Sequence, residues 1–236
     1  MNIEAKTGGT SEGVLCPCCD TRFPRFLPHG RGEKRRLGAE CPRCQSLERH
    51  RILALYLKHR TNLFRERLSL LDIAPASCLT SMLSALDNVK YVSAALQSPL
   101  AMVKTDICKM PFPSESFDAV FCMHVLQYVP DDRQGIAELF RVMKSGAWAI
   151  VQVPIHWDRA ETLEDASVTR PSAKTVRWPA EAAVRHYGRD FTDRLVSGGV
   201  TVDVVSCLKH LSADTIAAHG LKASDDRKVW VCTKPR

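Results

Sequence analysis

The sequence predicts a doubly wound α/β domain, with a mostly parallel sheet of seven strands, that follows a small cysteine-rich module. From residue 68 onward, short apolar runs alternate with amphipathic segments, as in βαβ units. Before that point, two cysteine pairs, CPCC at 16–19 and CPRC at 41–44, have the spacing of a metal site. A chain of 236 residues, 45% of them hydrophobic, suits one medium domain with a small appendage.

Four parts are expected along the chain: a flexible N-terminus at 1–13, the cysteine-rich ribbon at 14–45, a linking helix at 46–66 and the α/β domain at 67–236. The first residues, MNIEAKTGGTSEG, have no apolar stretch after a basic start and do not predict a signal peptide. No apolar run approaches the ~18 residues that a membrane span needs. We therefore expect a cytoplasmic protein, whose ten cysteines bind metal or are simply buried.

The positive charge is concentrated in the first quarter of the chain. Residues 1–60 hold 12 Lys and Arg against 6 Asp and Glu, whereas the remainder holds 21 against 20. Such a patch attracts an acidic partner: nucleic acid, a phosphorylated small molecule or an acidic protein face. The alternative is a solvated surface that also balances the charge of a thiolate site. A sequence-specific nucleic-acid reader is less favoured, because only Phe23 and Phe26 supply aromatic rings in the ribbon.

Four cysteines predict a structural zinc site, with Cys16, Cys19, Cys41 and Cys44 as ligands. Two CxxC turns, with 21 residues between Cys19 and Cys41, match the pattern in which each turn presents two thiolates to one tetrahedral Zn²⁺. Cys18 is a spare thiol, which leaves open whether it replaces Cys16 or Cys19. Four protein ligands leave no open coordination position, so the zinc would stabilise the fold of the ribbon rather than take part in a reaction.

The segment SLERHRILALYLKHR, at 46–60, predicts the linking helix. Ser46 is the expected N-cap, and the basic residues at the other end suit the helix dipole. One face of this helix is apolar and carries Leu47, Ile52, Leu55 and Tyr56.

Seven apolar runs predict the strands of the sheet, at 68–74, 90–96, 102–107, 117–125, 148–155, 200–207 and 228–234. Helices are predicted at 77–86, 131–146 and 189–199, with Gly146 as the stop signal of the second. In a doubly wound sheet, ligands bind beyond the carboxyl ends of the strands, where the strand order reverses. This rule places 72–76, 94–97, Asp106 and 123–127 around one crevice.

The segment DICKMPFPSESFDAVFCMHVLQYVPDDRQGIAELFRVMKSGAWAIVQVP, at 106–154, strongly resembles the central block of class I S-adenosylmethionine-dependent methyltransferases of the type 11 group. The resemblance extends over roughly 68–236. The two cysteine pairs followed by LDIAP, together with the late segment VRHYGRDFTDRL, are similar to a subgroup in which a cysteine-rich knuckle precedes the methyltransferase domain. The resemblance implies the class I methyltransferase fold, which is Rossmann-like, and S-adenosylmethionine as cofactor. It leaves the methyl acceptor undefined.

The resemblance also implies roles for individual residues. The first cofactor loop would start at Asp72, adenine would lie beside Asp106 and the sulfonium would face Met123, so the implied cofactor-binding residues are Asp72, Ile73, Ala74, Asp106, Ile107 and Met123. A cover over the substrate would be formed by about 156–187, with Arg185 and Tyr187 reaching inward. His124 is the candidate catalytic base, because it follows the fourth strand and titrates near neutrality; alternatively it only caps or packs there.

Three departures from the family pattern concern acids and polar groups near the cofactor: Ala76 in the first loop, Ala95 at the end of the second strand and Gln127 after the fourth. Loss of the acid that holds the ribose hydroxyls would cost ~1.5–3 kcal/mol. Two interpretations therefore remain. One is an active methyltransferase acting on an unidentified acceptor, which the basic ribbon suggests is anionic. The other is a cofactor-degenerate methyltransferase-fold protein that serves as a docking or assembly factor through its ribbon and linking helix.

Overall fold

The computed structural model describes residues 13–164 and 183–236. In chain order its strands and α-helices are β1 Val14–Cys16, β2 Thr21–Phe23, β3 Leu27–His29, β4 Arg36–Glu40, α1 Glu48–Arg60, β5 Leu68–Ile73, α2 Ser77–Ser84, β6 Val89–Ala95, β7 Val103–Lys104, β8 Phe117–Met123, α3 Asp132–Val142, β9 Met143–Gln152, β10 Leu163–Glu164, β11 Arg185–His186, α4 Phe191–Val196, β12 Thr201–Ser206, α5 Ala213–Ala218 and β13 Lys228–Thr233. Among these described helices, none is long and apolar enough to cross a membrane.

Seven strands form the central sheet, in the order β12-β13-β9-β8-β5-β6-β7. Strands β7, β6, β5, β8 and β9 run parallel, whereas β13 is antiparallel to both β9 and β12. The chain winds outward from β5 to β6 and β7, and then returns to the other side of β5 with β8. The predicted doubly wound, mostly parallel sheet of seven strands is thereby confirmed, and its switch point lies between β5 and β8.

The strands read as apolar runs because both faces of the sheet are covered. Alternate residues point to opposite sides, so that Leu70 and Leu71 belong to two different apolar clusters. One cluster joins the sheet to α3 and α4. The other joins it to α1 and to the ribbon (residues 14–45), since it includes Phe26 and Cys41. The ribbon therefore packs on the same core as one face of the sheet.

A buried arginine at the start of α1 ties the ribbon to the main domain. The Arg51 side chain is fully buried and donates to the carbonyl oxygens of Ala39 (2.8 Å) and Ser46 (3.0 Å). It also donates to the carbonyl oxygens of His219 (3.2 Å) and Gly220 (3.3 Å), just after α5. A buried guanidinium with four carbonyl partners connects segments that are about 170 residues apart in sequence.

Two local signals were misread from the sequence. Ser46 is not the N-cap of α1, because the helix starts at Glu48 with Leu47 at the cap position, and the Ser46 hydroxyl lies 3.1 Å from Cys16 Sγ. Gly146 is not a helix stop: α3 ends at Val142 and β9 begins at once, with Gly146 inside the strand at φ +78°. Its amide donates to the Lys234 carbonyl, so tertiary pairing with the C-terminal segment sets this conformation.

The predicted cover at about 156–187 lies only in part within the described residues. Its two described ends pair as the antiparallel strands β10 and β11, and Ile155 bridges to Tyr187. The predicted flexible N-terminus, 1–13, lies outside the described residues except for Gly13.

Candidate functional site

A cavity of about 560 Å³ opens at the carboxyl ends of β5, β6 and β8, at the switch point of the sheet. This volume falls within the range of small-molecule sites. The walls come from residues 73–75, 94–98, 105–107, 123–125 and 127–129, together with Arg49 from α1 and Pro154. These residues overlap the segments that the sequence places around one crevice, 72–76, 94–97, Asp106 and 123–127.

Two residues of the cavity wall have backbones in the left-handed region. Ala74 follows β5 with φ 56°, and His124 follows β8 with φ 58°. Each amide still extends the sheet ladder, Ala74 donating to the Ala94 carbonyl (2.8 Å) and His124 to the Gln152 carbonyl (2.7 Å). Left-handed backbone at non-glycine residues is uncommon and concentrates at ligand sites. Its presence at both turns is therefore consistent with a ligand-binding site at this end of the sheet.

Five of the six residues implied for cofactor binding line this cavity: Ile73, Ala74, Asp106, Ile107 and Met123. Asp72 is not part of the lining. It is 5% exposed and accepts a hydrogen bond from the Tyr91 hydroxyl at 2.9 Å, behind the cavity wall. Side chains alternate along a strand, so the residue before Ile73 points into the layer that Tyr91 occupies.

Burial raises the pKa of Asp72 to about 7, despite the hydrogen bond from Tyr91. A raised pKa means that the folded state binds the proton more tightly, so this group costs stability progressively as pH rises from about 4 to about 7. We expect Asp72→Asn to be more stable than the parent, because asparagine has no proton to lose. The difference in unfolding free energy between the two proteins should grow by about 2–3 kcal/mol as the pH rises from 5 to 8. Urea unfolding of both proteins at several pH values measures this; a difference that is constant with pH would contradict it.

Two glutamine side chains in the wall of the cavity have buried carbonyl oxygens without a hydrogen-bond partner among the described residues, Gln97 Oε1 and Gln127 Oε1. The Gln127 amide nitrogen donates to the His124 carbonyl at 3.0 Å, which aims the oxygen away from that contact. A buried acceptor without a donor costs about 1–3 kcal/mol, so each oxygen is suited to a ligand that donates hydrogen bonds. Both glutamines lie in segments that the sequence places around the crevice, 94–97 and 123–127, but no hydrogen-bonding role was predicted for either side chain.

His124 lies in a positively charged part of the site. Burial, followed by the charges of nearby residues including Arg49 and Arg227, lowers the pKa of His124 to about 4. The imidazole is therefore neutral at physiological pH and has a nitrogen able to accept a hydrogen bond. It is also a weaker base than a histidine that titrates near neutrality, because burial first, and the neighbouring charges second, destabilise its protonated form.

Arg185 and Tyr187 do not line this cavity, which corrects the expectation that they reach inward. Arg185 is 3% exposed and donates to the carbonyl oxygens of Val129 (2.9 Å) and Pro130 (3.0 Å). Tyr187 is fully buried and donates to Asp132 at 2.8 Å. Arg185 therefore holds the segment before α3, which carries one wall of the cavity, and Tyr187 holds the first residue of α3.

The four predicted metal ligands come together in the ribbon. The Sγ atoms of Cys16, Cys19, Cys41 and Cys44 all lie within 4.8 Å of one another. The pair Cys16–Cys44 is separated by 3.6 Å and the pair Cys19–Cys41 by 3.7 Å. A tetrahedron with bonds of ~2.3 Å has edges of about 3.8 Å, so the spacing fits Zn²⁺ bound by four thiolates.

The neighbours of this cysteine cluster include the spare thiol of Cys18 and a serine hydroxyl. Cys18 is buried and is not one of the four grouped sulfur atoms. The Ser46 hydroxyl, by contrast, lies 3.1 Å from Cys16 Sγ, where it can donate to a thiolate. The structure thus brings together the predicted set and adds a hydroxyl that orients one of its members.

Some of the basic residues of the ribbon already have protein partners. Arg36 forms a two-pronged ion pair with Glu48 at the start of α1, and Arg43 donates to the Thr21 hydroxyl at 2.7 Å. These contacts agree with the solvated-surface interpretation of the charge. The contacts of Arg36 and Arg43 do not support the predicted acidic partner at the ribbon.

The sequence and the fold of the main domain are both similar to those of methyltransferases. Residues 58–151 match the family model described as "Methyltransferase domain". The crystal structure of an S-adenosylmethionine-dependent methyltransferase from Mesorhizobium loti superposes with a TM-score of 0.52 at 15% identity, covering 77% of this chain and 96% of that one. At this identity the superposition shows a shared fold.

Two sequence relatives are also methyltransferases by their names. The chain is 40% identical over 53 residues to cycloartenol-C-24-methyltransferase of Arabidopsis thaliana and 28% identical over 93 residues to ajmaline N-methyltransferase of Rauvolfia serpentina. The first match covers 22% of this chain and 16% of the relative, and the second covers 39% and 28%. The chain thus spans less than a third of either relative.

Proposed function

Because residues 58–151 match a methyltransferase family model and the sheet has the class I methyltransferase fold, we propose that this chain transfers a methyl group from S-adenosylmethionine to an acceptor bound beside His124. The observation that carries the proposal is the cavity at the switch point, lined by five of the six residues implied for the cofactor. S-adenosylmethionine, when bound, supplies a methyl group on a positively charged sulfur, which leaves as a neutral thioether.

The polar atoms in the cavity suit a nucleoside with hydrogen-bond donors. Asp106 would accept from the adenine amino group, and Ile107 would pack against the ring. The orphaned oxygen of Gln97 lies just beyond β6, two residues after Ala95, which stands where the family has its ribose-binding acid, and would accept from a ribose hydroxyl. A neutral amide in place of a carboxylate weakens this contact without removing it, which favours the active enzyme over the cofactor-degenerate alternative.

His124 would orient the acceptor. It lies at the end of β8, next to Met123, and its neutral imidazole can accept a hydrogen bond from the nucleophile. Methyl transfer is an in-line displacement in which the protein mainly supplies proximity and orientation. With its pKa held near 4, His124 would act chiefly by accepting a hydrogen bond from the acceptor and positioning it. The surrounding cations would favour the deprotonated form of the acceptor.

The cysteine cluster would hold a structural zinc ion. The spacing of the four sulfur atoms fits it, and the cluster packs into the same core as α1 and the sheet. Since α1 also provides Arg49 to the cavity, the ribbon would help to position one wall of the active site.

Calorimetric titration of the zinc-loaded protein with S-adenosylhomocysteine and S-adenosylmethionine tests the proposal. We expect micromolar binding to the parent, binding weaker by about 2- to 12-fold to Gln97→Leu, and tighter binding to Gln97→Glu, which restores the acid. The physical reason is that the three side chains differ in how well they accept from a ribose hydroxyl.

The parent protein's result decides the function. If neither ligand binds the folded parent at millimolar concentration, the methyltransferase proposal is wrong and the docking alternative becomes the better account. If both bind but the Gln97 variants are indistinguishable from the parent, cofactor binding stands and the role of Gln97 is rejected.

A further inference from the structure

A second cavity, of about 530 Å³, lies next to the first and shares Arg49, His124 and Pro154 with it. From its walls we infer that the second cavity is the acceptor site and that it selects a small organic molecule bearing a carboxylate or phosphate group. This inference rests on the proposed methyltransferase function, which it extends to a class of acceptor.

Three cations from distant parts of the chain surround this second cavity. Arg49 comes from α1, whereas Arg227 directly precedes β13 and Lys228 is the first residue of that strand. The one carboxylate among the described lining residues, Asp226, accepts from the Leu208 amide at 2.8 Å and from the Ser206 hydroxyl, so it is engaged with the protein. The lining thus carries an excess of positive charge at the place where an acceptor would enter.

Arg49 and Arg227 line the second cavity together with His124, so their charge acts on the wall that both cavities share. Arg49 and Arg227 each contribute, after burial, to lowering the pKa of the imidazole. The field that disfavours a proton on His124 favours a negatively charged group bound beside it. The same field would lower the pKa of an acceptor hydroxyl or carboxyl, so an acid-bearing acceptor needs little help from a strong base.

Aromatic side chains limit the shape of the acceptor. Trp157 stacks on Trp230 with an interplanar angle of 11° and a centroid distance of 6.3 Å, and the Lys228 ammonium lies 4.3 Å from the Trp157 ring centre. Trp230 is 2% exposed, whereas Trp157 is 48% exposed and forms an accessible apolar wall. A cavity of this volume with one apolar wall and a cationic rim suits a compact organic acid rather than an extended polymer.

Small probes that differ in charge test the inference directly. The full chain, with and without saturating S-adenosylhomocysteine, is titrated by calorimetry with benzoate, phenyl phosphate and the neutral benzamide at low salt. We expect benzoate or phenyl phosphate to bind at least tenfold more tightly than benzamide, and this preference to weaken with added salt. Comparing benzoate with phenyl phosphate distinguishes a carboxylate site from a phosphate site.

Substitutions test whether Arg227 and Lys228 of the second cavity bind the anionic probes. The double variant Arg227→Gln/Lys228→Gln should lose at least tenfold in anion affinity, while its affinity for S-adenosylhomocysteine changes by less than threefold. The matched control is Lys90→Gln/Arg133→Gln, since both residues are exposed and neither lines a cavity. It should retain the anion preference.

The outcomes separate this inference from the proposed function. If S-adenosylhomocysteine binds but benzamide binds as well as the two anions, or no probe binds, the acceptor site is rejected and the methyltransferase stands. The site is also rejected if the control double variant loses as much affinity as the cavity variant. If the anions bind selectively but S-adenosylhomocysteine does not bind, the anion site stands and the methyltransferase function falls.

Discussion

Cys41→Ser should release the zinc and lower the unfolding free energy of the whole chain by at least about 4 kcal/mol, the scale expected when a structural metal is lost. Cys41 Sγ is fully buried and lies 3.7 Å from Cys19 Sγ, so a serine cannot replace its bond to the metal. For a chain of this size, 4 kcal/mol corresponds to a fall of about 8–16 °C in Tm. The loss should be global because the ribbon and the sheet share a core and are joined by Arg51.

Metal content and thermal unfolding measure this effect together. The parent should carry one zinc per chain, and a chelator should lower its Tm to that of Cys41→Ser. Cys108→Ser is the matched control, since Cys108 is partly buried but lies outside the cluster, and it should keep both metal and Tm. A parent that carries no metal, or a Cys41→Ser protein as stable as Cys108→Ser, would show that the cluster is not a zinc site.

Asp106→Asn should weaken binding of S-adenosylhomocysteine by about 10- to 100-fold, which corresponds to the ~1.5–3 kcal/mol of a hydrogen bond to a charged group. Asp106 Oδ1 accepts from the Cys108 amide at 3.0 Å, and asparagine can keep this contact and hence the loop. The other oxygen, however, becomes an NH₂ donor and would oppose the adenine amino group. The variant therefore changes recognition while the local structure is preserved.

A ligand with the opposite hydrogen-bonding pattern sharpens this test. S-inosylhomocysteine carries an oxygen in place of the adenine amino group, so it should bind Asp106→Asn better than the parent. The exposed Asp87→Asn, far from the cavity, is the control for a change of charge. If Asp106→Asn binds both nucleosides as the parent does, the adenine does not lie beside Asp106.

The parts of this molecule that depend on local pattern could be read from the sequence. Apolar runs such as Leu68–Ile73 identify buried parallel strands because both faces of such strands are covered. The spacing of the two CxxC turns predicts a cluster of four cysteines, although it left open whether Cys18 takes the place of Cys16 or Cys19. The crevice also follows, since the carboxyl ends of neighbouring parallel strands meet at one edge of the sheet.

Contacts between residues distant in sequence were decided only by the tertiary structure. Ser46 looks like a helix cap but lies beside Cys16, and Gly146 looks like a helix stop but lies in β9, because pairing with remote segments outweighs a local signal. Asp72 faces away from the cavity, since the direction of a strand side chain depends on register. No sequence window contains both Arg49 and Arg227, so the fold alone brings their charges to His124.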